Sequence, residues 1–202
     1  MEHMKRKYFL TILTVFCSVT FLCTGCGKNS LPSQDTSVSL EEKLTEESSV
    51  TLTGEIKKIE HSEGGSITVP SYLQGEETIS LSPSESTEDS VTYQLDTQQQ
   101  TDILNQLTNQ IESSVSQVLS DKKFYPDITA ISVNEDCTEF NVTFSSSEIT
   151  IYETTLRMSL YIAGDKFQLY QGIPEEQIST TVNYIEASNG KVFATGSSAD
   201  IH

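Results

Sequence analysis

The sequence predicts an α+β fold, a largely antiparallel sheet built of hairpins with two amphipathic helices packed on one face. Three observations predict it. Leu104, Leu107, Ile111, Val115 and Val118 recur at spacings of 3, 4, 4 and 3, which is one face of a helix. Phe140, Val142 and Phe144 alternate with polar residues, as a half-buried strand does. Asn189-Gly190, the strongest two-residue turn signal, stands between two runs rich in β-branched and aromatic residues.

From the start of the predicted domain, Thr51–Ile59 and Ser66–Val69 read as strands separated by a Gly64-Gly65 turn, with Pro70 ending the second. Residues 74–90 are acidic and Ser-rich and read as a loop. Val91, Tyr93 and Leu95 alternate with Thr92 and Gln94, giving a third strand. The strongest helix covers Thr97 to Ser120. Asp96 is its N-cap, Gln99 completes a capping box, Lys122 and Lys123 are placed to complement the C-terminal dipole, and Pro126 closes the segment.

Ile128–Val133 and Glu139–Phe144 flank the polar turn Asn134-Glu135-Asp136 and form a hairpin. The next stretch, Ser147–Gln171, carries two conflicting signals. Ile149, Thr150, Ile151, Thr154 and Thr155 are β-branched and favour a strand. Tyr152, Leu156, Leu160, Ala163, Phe167 and Tyr170 keep a spacing of three to four, and periodicity decides for a second helix, broken or kinked at Gly164. A last hairpin joins Thr180–Glu186 to Lys191–Thr195.

Ahead of this domain lies an export address. Lys5, Arg6 and Lys7 precede an apolar run from Tyr8 to Leu22, and small residues Thr24 and Gly25 come just before Cys26. The run has 15 residues, short of the ~20 that a membrane-spanning helix needs. The segment Leu22-Cys23-Thr24-Gly25-Cys26-Gly27 resembles the lipobox of bacterial lipoproteins, with Cys23 where that family usually carries an aliphatic residue. The resemblance implies that residues 1–25 are a signal peptide and that Cys26 carries the lipid. Residues 26–50, rich in Ser, Thr and Glu, read as a disordered acidic tether, and 51–202 as one globular domain. The 24 residues after Cys26 span roughly 25–30 Å as a flexible coil.

The cysteines support this division. Cys17 and Cys23 leave with the signal peptide and Cys26 is modified, so Cys137 alone remains as a thiol. An exported domain with one thiol has no internal disulfide, and its stability must come from a packed core. Two acyl chains hold a protein at a bilayer where one is marginal. The anchor has to do this unaided, because removing three bases and one acid takes the net charge from −17 to −19. That charge excludes nucleic-acid binding by phosphate neutralisation and argues against a polybasic membrane patch.

Catalytic and metal-binding chemistry finds little purchase. Of three His, His3 falls in the signal peptide and His202 is the last residue, which leaves His61 and no means of assembling a His-based nucleophile or metal site. Paired carboxylates of the glycosidase kind exist somewhere in any chain this acidic, and a solvated acidic surface accounts for them equally well. Asn134, Glu135 and Asp136 offer oxygen ligands for a weak Ca²⁺ but lack the spacing of an EF-hand loop, and Asn and Asp favour turns in their own right. Cys137, beside acids that raise a thiol pKa, reads as packed and inert. Phe124, Tyr125, Tyr161, Phe167 and Tyr170 would form a sugar- or protein-binding platform if exposed, but their spacing favours the core. No Gly-rich phosphate loop or dinucleotide fingerprint is present in the sequence, and two solute-binding lobes need more chain than this domain has.

Ser90–Asp96 running into the long helix, the Asn134–Phe140 hairpin, Tyr161–Gly172 and Thr180–Val192 together resemble a group of small lipoproteins of Gram-positive, Firmicute-type bacteria. The group is sometimes likened to an N-terminal region of the streptococcal adhesin antigen I/II. The resemblance spans about Ser90–Thr195 and implies the order strand, helix, hairpin, helix, hairpin. It carries no functional residue onto this chain, whose 51–90 region is shorter than the group's usual strand and loop. The expected function is a non-enzymatic binding module on the outer face of the bacterial cell membrane, held there by lipid on Cys26, with an envelope or surface protein as partner. The alternative is a carboxylate-dependent cell-envelope hydrolase. No cofactor or metal is expected in either case.

Overall fold

The computed structural model describes residues 54, 56–75 and 81–201. The signal peptide, Cys26, the tether and the beginning of the first expected strand lie outside the described residues. In chain order the elements are β1 (Gly65–Pro70), β2 (Pro83–Ser86), β3 (Ser90–Leu95), α1 (Thr97–Ser120), β4 (Ile128–Val133), β5 (Glu139–Phe144), α2 (Ile151–Tyr170), β6 (Thr181–Glu186) and β7 (Val192–Ser197). They build a three-stranded antiparallel sheet in the order β1-β3-β2 and a four-stranded sheet in the order β4-β5-β6-β7. The fold is α+β with mostly antiparallel strands, as the hydrophobic patterning requires.

Strand pairing departs from expectation in two ways. The hairpins do not join into one sheet, and β5 pairs with β6 in parallel, Glu139 opposite Thr181 through Phe144 opposite Glu186. Parallel neighbours need a crossover, and α2 supplies it. Ile131, Val133, Phe140, Val142, Phe144, Val182 and Tyr184 are all buried on the face of this sheet that the helices cover. The opposite face is mostly polar, with Ile185 and Val192 at one end. Along it Asn183 Nδ2 donates to Asn141 Oδ1 at 3.0 Å and Thr195 Oγ1 donates to Asn183 Oδ1 at 2.8 Å.

α1 begins and ends at the predicted residues. Asp96 Oδ1 accepts from the backbone of Gln99 at 2.7 Å, and Gln99 Oε1 accepts from the backbone of Asp96 at 3.0 Å, closing the capping box. Lys122 and Lys123 lie past the helix and do not cap it. Lys122 donates to the carbonyl of Ile128 at 2.6 Å, pulling the α1–β4 connection closed, and Lys123 stands over the Phe124 ring at 5.0 Å. α1 and α2 run antiparallel, since Gln100 near the start of α1 bonds the carbonyl of Tyr170 at the end of α2, while Phe124, just past α1, meets Tyr152 at the start of α2.

Burial along the helices shows where the small sheet sits. The C-terminal half of α1 buries a single stripe, Ile111, Val115, Val118 and Leu119, whereas the N-terminal half also buries Gln100, Thr101 and Thr108. The end of α2 is buried almost all round. A second layer therefore covers one end of the helix pair, formed by β1–β3 and the segment before them. Residues 56–59 of the expected first strand are not a strand. Their polar groups go elsewhere, with Lys57 N–H bonding the carbonyl of Glu135 at 3.2 Å and Asn105 Nδ2 bonding the carbonyl of Ile59 at 3.4 Å. Further along, Ser62 Oγ pairs with Thr101 Oγ1 at 3.1 Å and Gly64 N–H bonds Gln100 Oε1 at 2.8 Å.

Two further expectations are corrected. Residues 83–86, read as loop, form β2, whose four side chains are all exposed and so carry no hydrophobic alternation. The β6–β7 connection is not a two-residue turn at Asn189-Gly190. It spans Ala187–Lys191, closed by Glu186 N–H to the carbonyl of Lys191 at 2.9 Å, with Gly190 left-handed at φ +70°.

Candidate functional site

The start of α2 positions the most conspicuous exposed side chains. Thr150 is the N-cap and accepts from the backbone of Tyr152 at 3.1 Å, while the Glu153 carboxylate accepts from the backbone of Thr150 at 2.8 Å and from its hydroxyl. This capping box fixes the rotational phase of the helix. Glu153 is turned inward with Leu156 and Leu160, so Ile151, Tyr152 and Met158 have to point outward. Ile151 is 71% exposed and Tyr152 45%. Phe124 reaches Tyr152 from the α1–β4 connection, their rings edge-on with centroids 5.1 Å apart. Ile149, just before the cap, is also exposed. An aromatic pair beside exposed aliphatic residues gathers the side-chain types that interface cores concentrate, on a protein whose surface is otherwise strongly acidic.

The core reading of the aromatic residues is therefore divided. Tyr161, Phe167 and Tyr170 are buried in the hydrophobic core and Tyr125 packs partly against it, whereas Phe124 does not belong to it.

A second cluster is internal. Asp165, Gln168, Thr180 and Ser198 are buried together where α2 crosses the start of β6 and the turn after β7. Thr180 Oγ1 and Ser198 Oγ both donate to Asp165 Oδ1, at 2.7 and 2.9 Å. Gln168 Nε2 donates to Thr180 Oγ1 at 3.0 Å, and Gln168 Oε1 accepts from the backbone of Ser179 at 3.2 Å. The Asp165 and Ser198 side chains thus hold elements together. Among the described residues the buried carboxylates are Glu153 and Asp165, which stand 12 positions apart on one helix, about 18 Å by helical rise, too far for the 5–9.5 Å of a glycosidase pair.

The other residues singled out in the sequence are separate from both clusters. His61 is exposed. Asn134 is engaged in its own hairpin tip, Oδ1 accepting from Glu139 N–H at 2.9 Å and Nδ2 donating to Thr138 Oγ1 at 2.7 Å. Among the described residues, no three His, Cys, Asp or Glu side chains come together in a way that could hold a metal ion. Cys26 lies outside the described residues.

Cys137 is fully buried and sits at φ 54°, a left-handed conformation that a Cβ makes costly. Burial first, and then the Asp136 carboxylate, push its thiol from the ordinary 9 up to about 12, as expected of an inert cysteine. The Tyr184 hydroxyl, buried and donating to the carbonyl of Glu153 at 2.5 Å, is also pushed up to about 12. In both cases the folded protein keeps a proton that the unfolded chain releases. The stability that depends on these protons is complete below about pH 9 and is lost as pH rises through 12. For Cys137 the slope reaches up to about 1.4 kcal/mol per pH unit. Urea unfolding between pH 8 and pH 11 is expected to show this decline, and Cys137→Ala to make it shallower.

No known protein family, characterised protein or solved structure matches this chain.

Proposed function

We propose that this chain is a lipid-anchored module on the outer face of the bacterial cell membrane that docks an envelope or surface protein through the Phe124, Ile149, Ile151 and Tyr152 cluster, without catalysing a reaction. The observation that carries the binding role is the cluster itself. A capping box holds apolar side chains outward at the start of α2, at a cost in exposed apolar surface that a partner would recover. The anchor rests on the basic, apolar and small-residue order that ends at Cys26. The buried hydroxyl and carboxylate groups support a binding role over a hydrolytic one, since their bonds run between α2, β6 and the turn after β7.

Two variants test the two halves separately. Cys26→Ser is expected to shift the protein from the membrane to the soluble fraction and to abolish a fatty-acyl mass on the N-terminal peptide. A native chain that carries no acyl group removes the anchor. Ile151→Glu combined with Tyr152→Ser is expected to keep the thermal midpoint of the native chain while losing the partner recovered by crosslinking on intact cells. If the same partner crosslinks equally well to the double variant, this surface is not the docking site.

A further inference from the structure

Among the described residues the two sheets have four outer edges, β1, β2, β4 and β7. Exposed edges invite pairing with another strand, and folded proteins protect them with proline, charge or a covering segment. Three of the four carry such a device. β1 ends in Pro70, and β2 begins with Pro83 and contains Glu85. At the end of β4, Gly54 lies so close that an added Cβ would come 2.3 Å from the carbonyl oxygen of Val133, and Lys57 N–H bonds the carbonyl of Glu135 at 3.2 Å. β7 differs. From Val192 to Ala199 it and its continuation contain neither proline nor charge, and among the described residues no strand pairs with its outer side.

β7 is regular from Ala194 to Ser197, its pairing with β6 shifting register only before Ala194, where Phe193 is bulged between Val192 and Ala194. Ser198 N–H bonds the carbonyl of Thr180 at 2.9 Å, and Gly196 and Ala194 lie opposite Val182 and Tyr184. Antiparallel alternation then directs the peptide groups of Ser198, Gly196 and Ala194 toward β6, and those of Ser197 and Thr195 toward the open side. Lys191 stands immediately before the strand and Asp200 in the turn after it, both exposed.

We propose that β7 pairs antiparallel with β7 of a second copy of this chain, about a two-fold axis at Thr195, joining two four-stranded sheets into one of eight. The charge distribution selects this occupant. The pairing brings Lys191 of one copy beside Ala199 and Asp200 of the other, and the symmetry repeats the contact. In a chain with 29 acidic and 12 basic residues, an uncharged strand bracketed by one base and one acid is a place where two copies meet without repulsion. The inference does not depend on the anchor or on the apolar cluster at the start of α2.

Sedimentation velocity of the full chain, in a mild detergent matched to the solvent density, is expected to give twice the chain mass at micromolar concentration. Thr195→Pro, which removes an outward N–H and leaves the backbone bonds to β6 while giving up the Thr195 side-chain bond to Asn183, is expected to give a monomer with a native circular dichroism spectrum. Lys191→Glu is expected to weaken the dimer about tenfold, and Lys191→Glu with Asp200→Lys to restore it to within about twofold, because only the swapped pair again places opposite charges together. Both charge variants change exposed side chains, so they report on assembly even if Thr195→Pro unfolds. A native chain that sediments as a monomer throughout overturns the proposal. So does a dimer indifferent to Lys191→Glu, or one that the double exchange does not recover.

Discussion

Replacing Gly164 by Ala is expected to destabilise the protein, although the same change inside an ordinary helix stabilises it. Propensity alone favours Ala by about 1 kcal/mol, and α2 runs through this position without a break. Packing opposes it. A Cβ on Gly164 would come 2.4 Å from Thr180 Oγ1 and 2.5 Å from the carbonyl oxygen of Cys137. Neither neighbour yields easily. Thr180 Oγ1 is tied to Asp165 and Gln168, and the Cys137 carbonyl belongs to a hairpin tip already in a left-handed conformation. Overpacking of this kind costs about 1–3 kcal/mol and here also disturbs a buried polar network. We expect a net loss of about 2 kcal/mol, or roughly 5 °C in thermal midpoint for a protein of this size. Gly164→Val should lose more. A midpoint that stays put or rises in Gly164→Ala would mean that α2 does not approach the β4–β5 turn and β6 this closely.

The sequence places a break or kink at Gly164, but α2 continues through it and the glycine answers instead to the close approach of Thr180 and Cys137; similar cases mark the limits of what periodicity conveys. α1 was legible to its last residue because a long apolar stripe, a capping box and a following proline agree. The β4–β5 hairpin was legible because its strands each bury one face. β2 was not, because it buries neither face and exists through backbone pairing with β3. The parallel contact of β5 with β6 depends on α2 crossing over one sheet, which strand patterns do not encode.

The candidate docking surface was hidden by a more specific ambiguity. Tyr152 and Glu153 lie four and three positions before Leu156, so either can extend the Leu156–Leu160 stripe. Hydrophobicity favours Tyr152, and the core reading follows. The capping box decides for Glu153, whose carboxylate is needed at the Thr150 N–H, and Tyr152 is turned out. The pattern Thr150-x-x-Glu153 was present in the sequence as a helix-start signal. Starting the helix from it, rather than from the apolar spacing, would have identified the exposed pair.

Asp165→Ala is expected to be the most damaging single replacement of a polar residue, costing about 3 kcal/mol. The reason lies in how the protons are placed. Thr180 Oγ1 accepts from Gln168, and Ser198 Oγ accepts from the backbone of Thr180 at 2.9 Å, so each hydroxyl sends its own proton to Asp165 Oδ1. Removing that oxygen leaves two buried donors without an acceptor, at about 1–3 kcal/mol each, reduced by whatever the cavity can rearrange. Asp165→Asn keeps an amide oxygen at the same position and should cost appreciably less, which separates loss of the acceptor from loss of volume. The double variant with Ser198→Ala gives a further check, because deleting Ser198 costs less once its acceptor has gone. Urea unfolding of the four proteins in this cycle should therefore give a coupling of about 1 kcal/mol or more. Additive losses would mean that the two side chains act independently, and the turn after β7 would then have to be held against α2 by its remaining backbone bond to Thr180.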